Sequence, residues 1–212
     1  MRHYDRPAVA LAVCLSMLAG YIDAIGFLGM GGFFISFMSG NSTRFGVGLA
    51  GGDWRVAMTA GGLILFFVIG VMAGTGLARR VAPGRRPRVV LLLVAALLAL
   101  AGIGPFGAAA TMLILAAAMG AENAVFERDN EVSIGLTYMT GTLVRLGQNL
   151  VNALFFGGPP FGWARYLLLW AGLAAGTVAG AMTYAAIGLS GVWFGAAVAL
   201  LLAGAVRTAA AD

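Results

Sequence analysis

The sequence predicts an all-α polytopic membrane protein, built as a single membrane domain over residues 1–212. About six transmembrane helices, two broken or re-entrant half-helix segments and two inverted structural repeats account for its pattern. Three observations lead to this reading. The chain is 61% hydrophobic and 10% charged, with a mean hydropathy of +0.95, where a soluble domain is about half apolar and a quarter charged. Apolar runs long enough for a hydrocarbon core of about 30 Å recur from end to end. A polar motif, FMSGNSTRFG at 37–46, returns as YMTGTLVRLG at 138–147.

The elements follow in order. Residues 7–28 form a first helix. It is too long for a signal-peptide core, and Tyr21-Ile22-Asp23 is no small-residue cleavage site, so it is retained. Residues 29–52 are a glycine-rich polar stretch. Helices are expected over 57–78, 89–103, 107–125, 164–187 and 192–206, while the segments 29–52 and 133–156 carry shorter helices, from Gly40 to about Gly51 and from Gly141 to Phe156. All six prolines (Pro7, Pro83, Pro87, Pro105, Pro159 and Pro160) fall at junctions, where a residue without an N–H does least harm.

The two motifs align with an offset of 101, pairing Met38 with Met139, Ser39 with Thr140, Gly40 with Gly141, Arg44 with Arg145 and Gly46 with Gly147. Upstream, Gly20-x-x-Asp23-Ala24 matches Gly120-x-x-Asn123-Ala124. Downstream, Gly70-x-x-x-Gly74 is paired with Gly172-x-x-x-Gly176. Repeat one therefore covers 7–104 and repeat two 107–207. Arginine placement then decides topology. If every segment spans, six arginines lie on one side and five on the other. If 29–52 and 133–156 dip in and return, ten lie on one side and only Arg55 opposite, as the positive-inside rule expects. Both termini are then cytoplasmic. Each repeat has three spans, so the copies are inserted in opposite senses, the plan of many secondary transporters. The other geometry is an extended piece followed by a short helix that crosses fully, since strand residues rise about 3.3 Å each.

The β-branched and aromatic residues before Ser39 and Thr140 read as short extended segments, with Ser39 and Thr140 as helix N-caps. Helix starts at membrane depth present free N–H groups and positive dipole ends, an anion-friendly place. Arg44 and Arg145 each cost about 2.5–3.5 kcal/mol at the bilayer centre on insertion scales. The expected substrate-binding residues are Ser39, Gly40, Asn41 and Arg44 from one copy and Thr140, Gly141, Thr142 and Arg145 from the other. Arg44 and Arg145 are expected to meet across the repeat interface, or each to cap the other copy's broken helix. Asp23 is the expected coupling residue or counter-ion. Glu122 reads as interfacial, Gln148 and Asn149 as packing residues, Trp54 and Trp163 as interface anchors.

Other classes fall away. The single Cys14, read as a buried and inert thiol, and the single His3 make no zinc or haem site, and no nucleophile motif occurs, so neither metal, cofactor nor enzyme is expected. The charge of +5 comes entirely from 13 arginines against eight acids. It sets orientation and does not call for nucleic acid. The expected partners are a small-molecule or ionic solute and the lipid bilayer, with a homodimer possible through the small-residue faces.

At GYIDAIGFLGMGGFFISFMSGNSTRFG and GAENAVFE…TYMTGTLVRLG the chain resembles the YoaK-like family of bacterial inner-membrane proteins, a domain-of-unknown-function family. The resemblance implies about six spans and a bacterial inner membrane. It brings no substrate and no residue roles. The half-helix plan is also similar, by architecture alone, to anion and nucleobase transporters of the sulfate-permease and uracil-permease type. Two functions are carried forward. One is a transporter or channel for a small anion. The other is a non-transporting assembly or lipid-interacting protein whose arginines are structural.

Overall fold

A computed structural model describes residues 6–104, 107–128, 131–132 and 137–206. His3, Pro105, the 133–136 stretch and Arg207 lie outside them. Eight α-helices occur among the described residues: α1 (Arg6–Gly29), α2 (Met38–Ala50), α3 (Trp54–Arg79), α4 (Arg86–Ile103), α5 (Gly107–Glu122), α6 (Met139–Phe155), α7 (Ala164–Ile187) and α8 (Val192–Ala205). Two-residue strands, β1 (Glu127–Arg128) and β2 (Glu131–Val132), pair antiparallel after α5. They were not foreseen in the sequence.

The all-helical, membrane-spanning class holds. Among the described residues, five stretches are long and apolar enough to cross a bilayer: Pro7–Gly29, Trp54–Arg79, Pro83–Ile103, Gly107–Phe126 and Ala164–Ala205. The outer surface exposes large apolar side chains such as Met58, Met72, Leu154, Phe161, Met182 and Leu201, the composition that lipid contact requires. Cys14 lies on this outer face of α1, and not in the core as expected. The helix ends have local causes. Asp53 caps α3 by accepting from the Val56 N–H at 3.1 Å, after Gly52 turns the chain at φ +72°. Gly188, at φ +62°, separates α7 from α8.

Close packing comes from bare glycines. The carbonyls of Val13, Met17 and Tyr21 on α1 abut Gly172, Gly176 and Gly180 on α7 in turn, so these helices run parallel. The carbonyls of Ala117 and Ala121 on α5 abut Gly70 and Gly74 on α3 in the same sense. Gly20 and Gly120 return the favour against Leu173 and Phe67. α2 folds back on α3, with Gly48 against Asp53 and Ala57 and Phe45 over Gly61. α8 lies antiparallel to α4, Gly102 meeting Trp193 and Gly195 meeting Leu98. The centre of the core is Leu15, Ile22 and Ile25 of α1, Leu91 and Leu98 of α4, and Met112, Leu115 and Met119 of α5, all without solvent contact.

Candidate functional site

The site grows from the segment between α1 and α2. After Gly29 the chain turns back along α1, and Ile35 packs against Gly26. This segment forms no strand, contrary to the extended reading of FFISFM. Side chains supply the bonds that a sheet would give. Asp23 Oδ1 accepts from the Ile35 and Ser36 N–H groups, both at 2.7 Å, and Oδ2 accepts from the Ser36 hydroxyl at 2.6 Å. Asn41, fully buried, satisfies both backbone groups of Phe34: its Oδ1 accepts from the N–H at 3.1 Å and its Nδ2 donates to the carbonyl at 2.6 Å. Charge-assisted bonds of this kind are roughly twice as strong as neutral ones. Asp23 is therefore a clamp on the loop, and its bonds go to that loop and not to Arg44 or Arg145.

At the second motif Asn123 stands at the Asp23 position. Asn123, buried after α5, donates from Nδ2 to the Met119 carbonyl at 3.0 Å, and its Oδ1 accepts from the Thr137 hydroxyl at 3.5 Å. Thr142 occupies the Asn41 position and is buried.

Ser39 and Thr140 are not N-caps. The caps are Phe37 and Tyr138, neither contributing a side-chain bond, and the helices begin at Met38 and Met139. The Phe37 carbonyl takes the N–H groups of Gly40 and Asn41, and that of Tyr138 takes the Thr142 N–H, so the first turns close before a hydroxyl is needed. Both helix starts thus keep N–H groups without a capping side chain.

Two adjoining cavities lie between these starts. The larger, about 510 Å³, is lined by Asp23, Phe27, Phe34, Ser36, Thr137 and Thr177 together with apolar neighbours. The smaller, about 250 Å³, is lined by Ser36, Phe37, Ser39, Phe67, Tyr138, Thr140 and Gly141 among others. They share Ser36, Phe37, Thr137 and Met139. Of the expected site residues, Ser39, Thr140 and Gly141 meet in one cavity and Asp23 lines the other. Gly40 sits under the Phe34 and Phe37 rings, where a Cβ would collide with them. Asn41 and Thr142 are buried beside the site. Arg44 lies over the Phe33 ring at 4.9 Å, and Arg145 is exposed. Neither lines these cavities. Asn149 donates to the Arg145 carbonyl of its own helix. Glu122 is fully buried and not interfacial, because the last turn of α5 packs into the bundle. Ser36, Thr137 and Thr177 were missed. Ser36 and Thr137 carried a legible signal, a hydroxyl three residues before Ser39 and Thr140 at the same offset.

A family model described as "Protein of unknown function (DUF1275)" matches residues 11–205. The chain belongs to the DUF1275 family. Among curated relatives, the UPF0700 transmembrane protein RA0705 of Rhizobium meliloti (strain 1021) is 38% identical over 204 residues, covering 96% of this chain and 88% of the relative. No solved structure matches. Membership agrees with the resemblance read from the two motifs, both of which lie within the matched DUF1275 region.

Proposed function

We propose that this DUF1275 protein is a secondary transporter of a small organic anion in the bacterial inner membrane, working by alternating access between two inverted repeats. The observation that carries the reading is the relation between the two cavities. Ser36, Phe37, Thr137, Met139 and Leu173 line the larger. Their partners in the other repeat, Thr137, Tyr138, Ser36, Met38 and Phe67, line the smaller. One cavity is the counterpart of the other, with about twice its volume, as expected of a transporter open to one side.

The helix contacts support the same pairing. Met17–Gly176, Tyr21–Gly180 and Gly20–Leu173 correspond to Ala117–Gly70, Ala121–Gly74 and Gly120–Phe67. The offset is 100 on the first helices (117 − 17) and 106 on the third (176 − 70). The third-helix register is thus one turn beyond the 102 read from the glycine motifs, and α6, at 17 residues against 13 for α2, absorbs the difference. Gly29 of α1 meets Met112 near the start of α5, which favours opposite directions for these two helices. The stretch Ala164–Ala205, 42 residues or about 63 Å of helix, is twice a bilayer and is read as two passes, making six spans with α2 and α6 as half-helices.

The solute is read from the walls. Phe27, Leu28, Phe34 and Leu173 take an apolar body. The uncapped starts of α2 and α6, at Ser39, Thr140 and Gly141, take a negative head. The charge of Asp23 is answered by its three donors. Arg44 and Arg145 add positive potential from beside the path. Purified protein is tested by thermal unfolding with acetate, butyrate, benzoate and the neutral benzamide. Benzoate is expected to stabilise most and benzamide least. If no carboxylate raises Tm, the anion reading fails. The stacking of Arg44 on Phe33 favours the second reading, a non-transporting protein with a structural arginine; Arg44→Ala that lowers Tm but leaves a benzoate shift intact assigns Arg44 that structural role alone.

A further inference from the structure

Glu122 is the most deeply isolated acid among the described residues. It has no solvent contact, and neither carboxyl oxygen has a hydrogen-bond partner. It ends α5, which packs against α1, α3 and α4. α5 carries no other charge. On α3 the nearest charged residue in sequence register is Arg79, one turn beyond the Gly74–Ala121 contact, with Arg55 at the far end. On α4 the charges are Arg86 and Arg88 in the first turn. On α1 they are Arg6 in the first turn and Asp23, six residues before the contact of Gly29 with Met112, while Glu122 lies ten residues after it. A metal cation requires a shell of several oxygens. Glu122 has none, and no group of three His, Cys, Asp or Glu occurs among the described residues. A proton needs no such shell, and an unpaired buried carboxylate is held at least cost as the neutral acid.

We propose that Glu122 is a proton-binding site that couples the solute cycle to proton movement through Asp23. The coupling part rests on the transporter reading above; the proton site does not. Asp23 holds its three loop donors most strongly when ionised, and the loop that it holds is a wall of the larger cavity. When Glu122 loses its proton in an arrangement that admits water, a second carboxylate is left on a helix packed against α1, and two acids so placed are stabilised by one proton shared between them. A proton taken by Asp23 turns one of its acceptor oxygens into a donor and loosens the clamp on Ile35 and Ser36. The state of Glu122 is thereby transmitted to the cavity.

The test uses full-length protein in lipid nanodiscs and two readouts. The first is dicyclohexylcarbodiimide, which modifies protonated carboxyls in apolar surroundings, with the site mapped by mass spectrometry. Modification at Glu122 is expected, and it is expected to fall as pH rises. No modification at any pH, or modification that never varies, overturns the proton site. The second is the reactivity ratio of Thr177→Cys and Thr140→Cys, one in each cavity, in a Cys14→Ser background. A pH dependence of that ratio is expected, lost in Glu122→Gln and kept in Glu122→Asp. A dependence that survives in Glu122→Gln overturns the coupling. A ratio that never changes, while Glu122 still titrates, supports the proton site and sinks the transporter reading.

Discussion

At the scale of single residues, the polar atoms of the first motif are mostly spent on the fold. Asn41 closes both backbone groups of Phe34, whereas Ser39 caps nothing. The two therefore differ in consequence, although they are two positions apart and equally polar. Asn41→Ala leaves the part-buried N–H and carbonyl of Phe34 without their partner and should cost about 2–6 kcal/mol, taking 1–3 for each of the two stranded groups. Ser39→Ala should change stability by less than about 0.5 kcal/mol, the ordinary range for a surface change. If Ser39 were an N-cap, its loss would cost about 1 kcal/mol. Denaturant unfolding in detergent separates these outcomes, and equal losses would return Ser39 to a capping role. The sequence could show that Asn41 and Asp23 were improbable in an apolar chain. It could not show that their partners were backbone groups of the intervening loop, because that depends on the chain reversing after Gly29, a fact of tertiary structure.

At the scale of elements, small residues divide into those that let helices touch and those that only weaken a helix. Gly176 and Gly70 stand against the carbonyls of Met17 and Ala117, while Gly46 and Gly147 face open space. Gly176→Ala and Gly70→Ala force the helix pairs apart and should destabilise by about 1–3 kcal/mol each. Gly46→Ala and Gly147→Ala place a better helix former where nothing obstructs it and should stabilise by about 0.5–1 kcal/mol. Thermal unfolding of the four variants reads opposite signs, and a common sign would show that propensity alone governs these positions. Helix existence was legible from apolar length, and several ends from proline and glycine. The starts of α2 and α6, expected at Gly40 and Gly141, lie two residues earlier, at Met38 and Met139. The register of the third helices was not legible. α7 carries Gly172, Gly176 and Gly180 at equal spacing, so a motif of two glycines fits it in two ways. Only the carbonyls on α1 choose between them.

At the scale of the whole molecule, the two halves hold equivalent loops with different side chains. In the first, Asp23 takes three bonds and Asn41 two more. In the second, among the described residues, Asn123 stands at the Asp23 position and accepts a 3.5 Å bond from Thr137, and Thr142 stands at the Asn41 position. The loop of 30–37 is tied to α1, and the larger cavity lies between them and α7. The smaller cavity, about half the size, lies where Thr137 and Tyr138 meet Phe67 of α3. On the transporter reading, the balance of clamp strengths sets which cavity is open. Giving the second half the side chains of the first tests this directly. Asn123→Asp offers Thr137 and its neighbours a charged acceptor, and Thr142→Asn supplies the amide that Asn41 supplies to Phe34. The double variant should draw the second loop onto α5 and enlarge the smaller cavity at the expense of the larger. Thr140→Cys should then react faster with a water-soluble maleimide and Thr177→Cys more slowly. About 1.4 kcal/mol of added clamping would change their ratio tenfold if the two arrangements are in equilibrium. The converse variant, Asp23→Asn, should move the ratio the same way by weakening the first clamp. A double variant that folds with an unchanged Tm and an unchanged ratio would show that the two cavities do not exchange, and their unequal sizes would then be a fixed asymmetry of the fold.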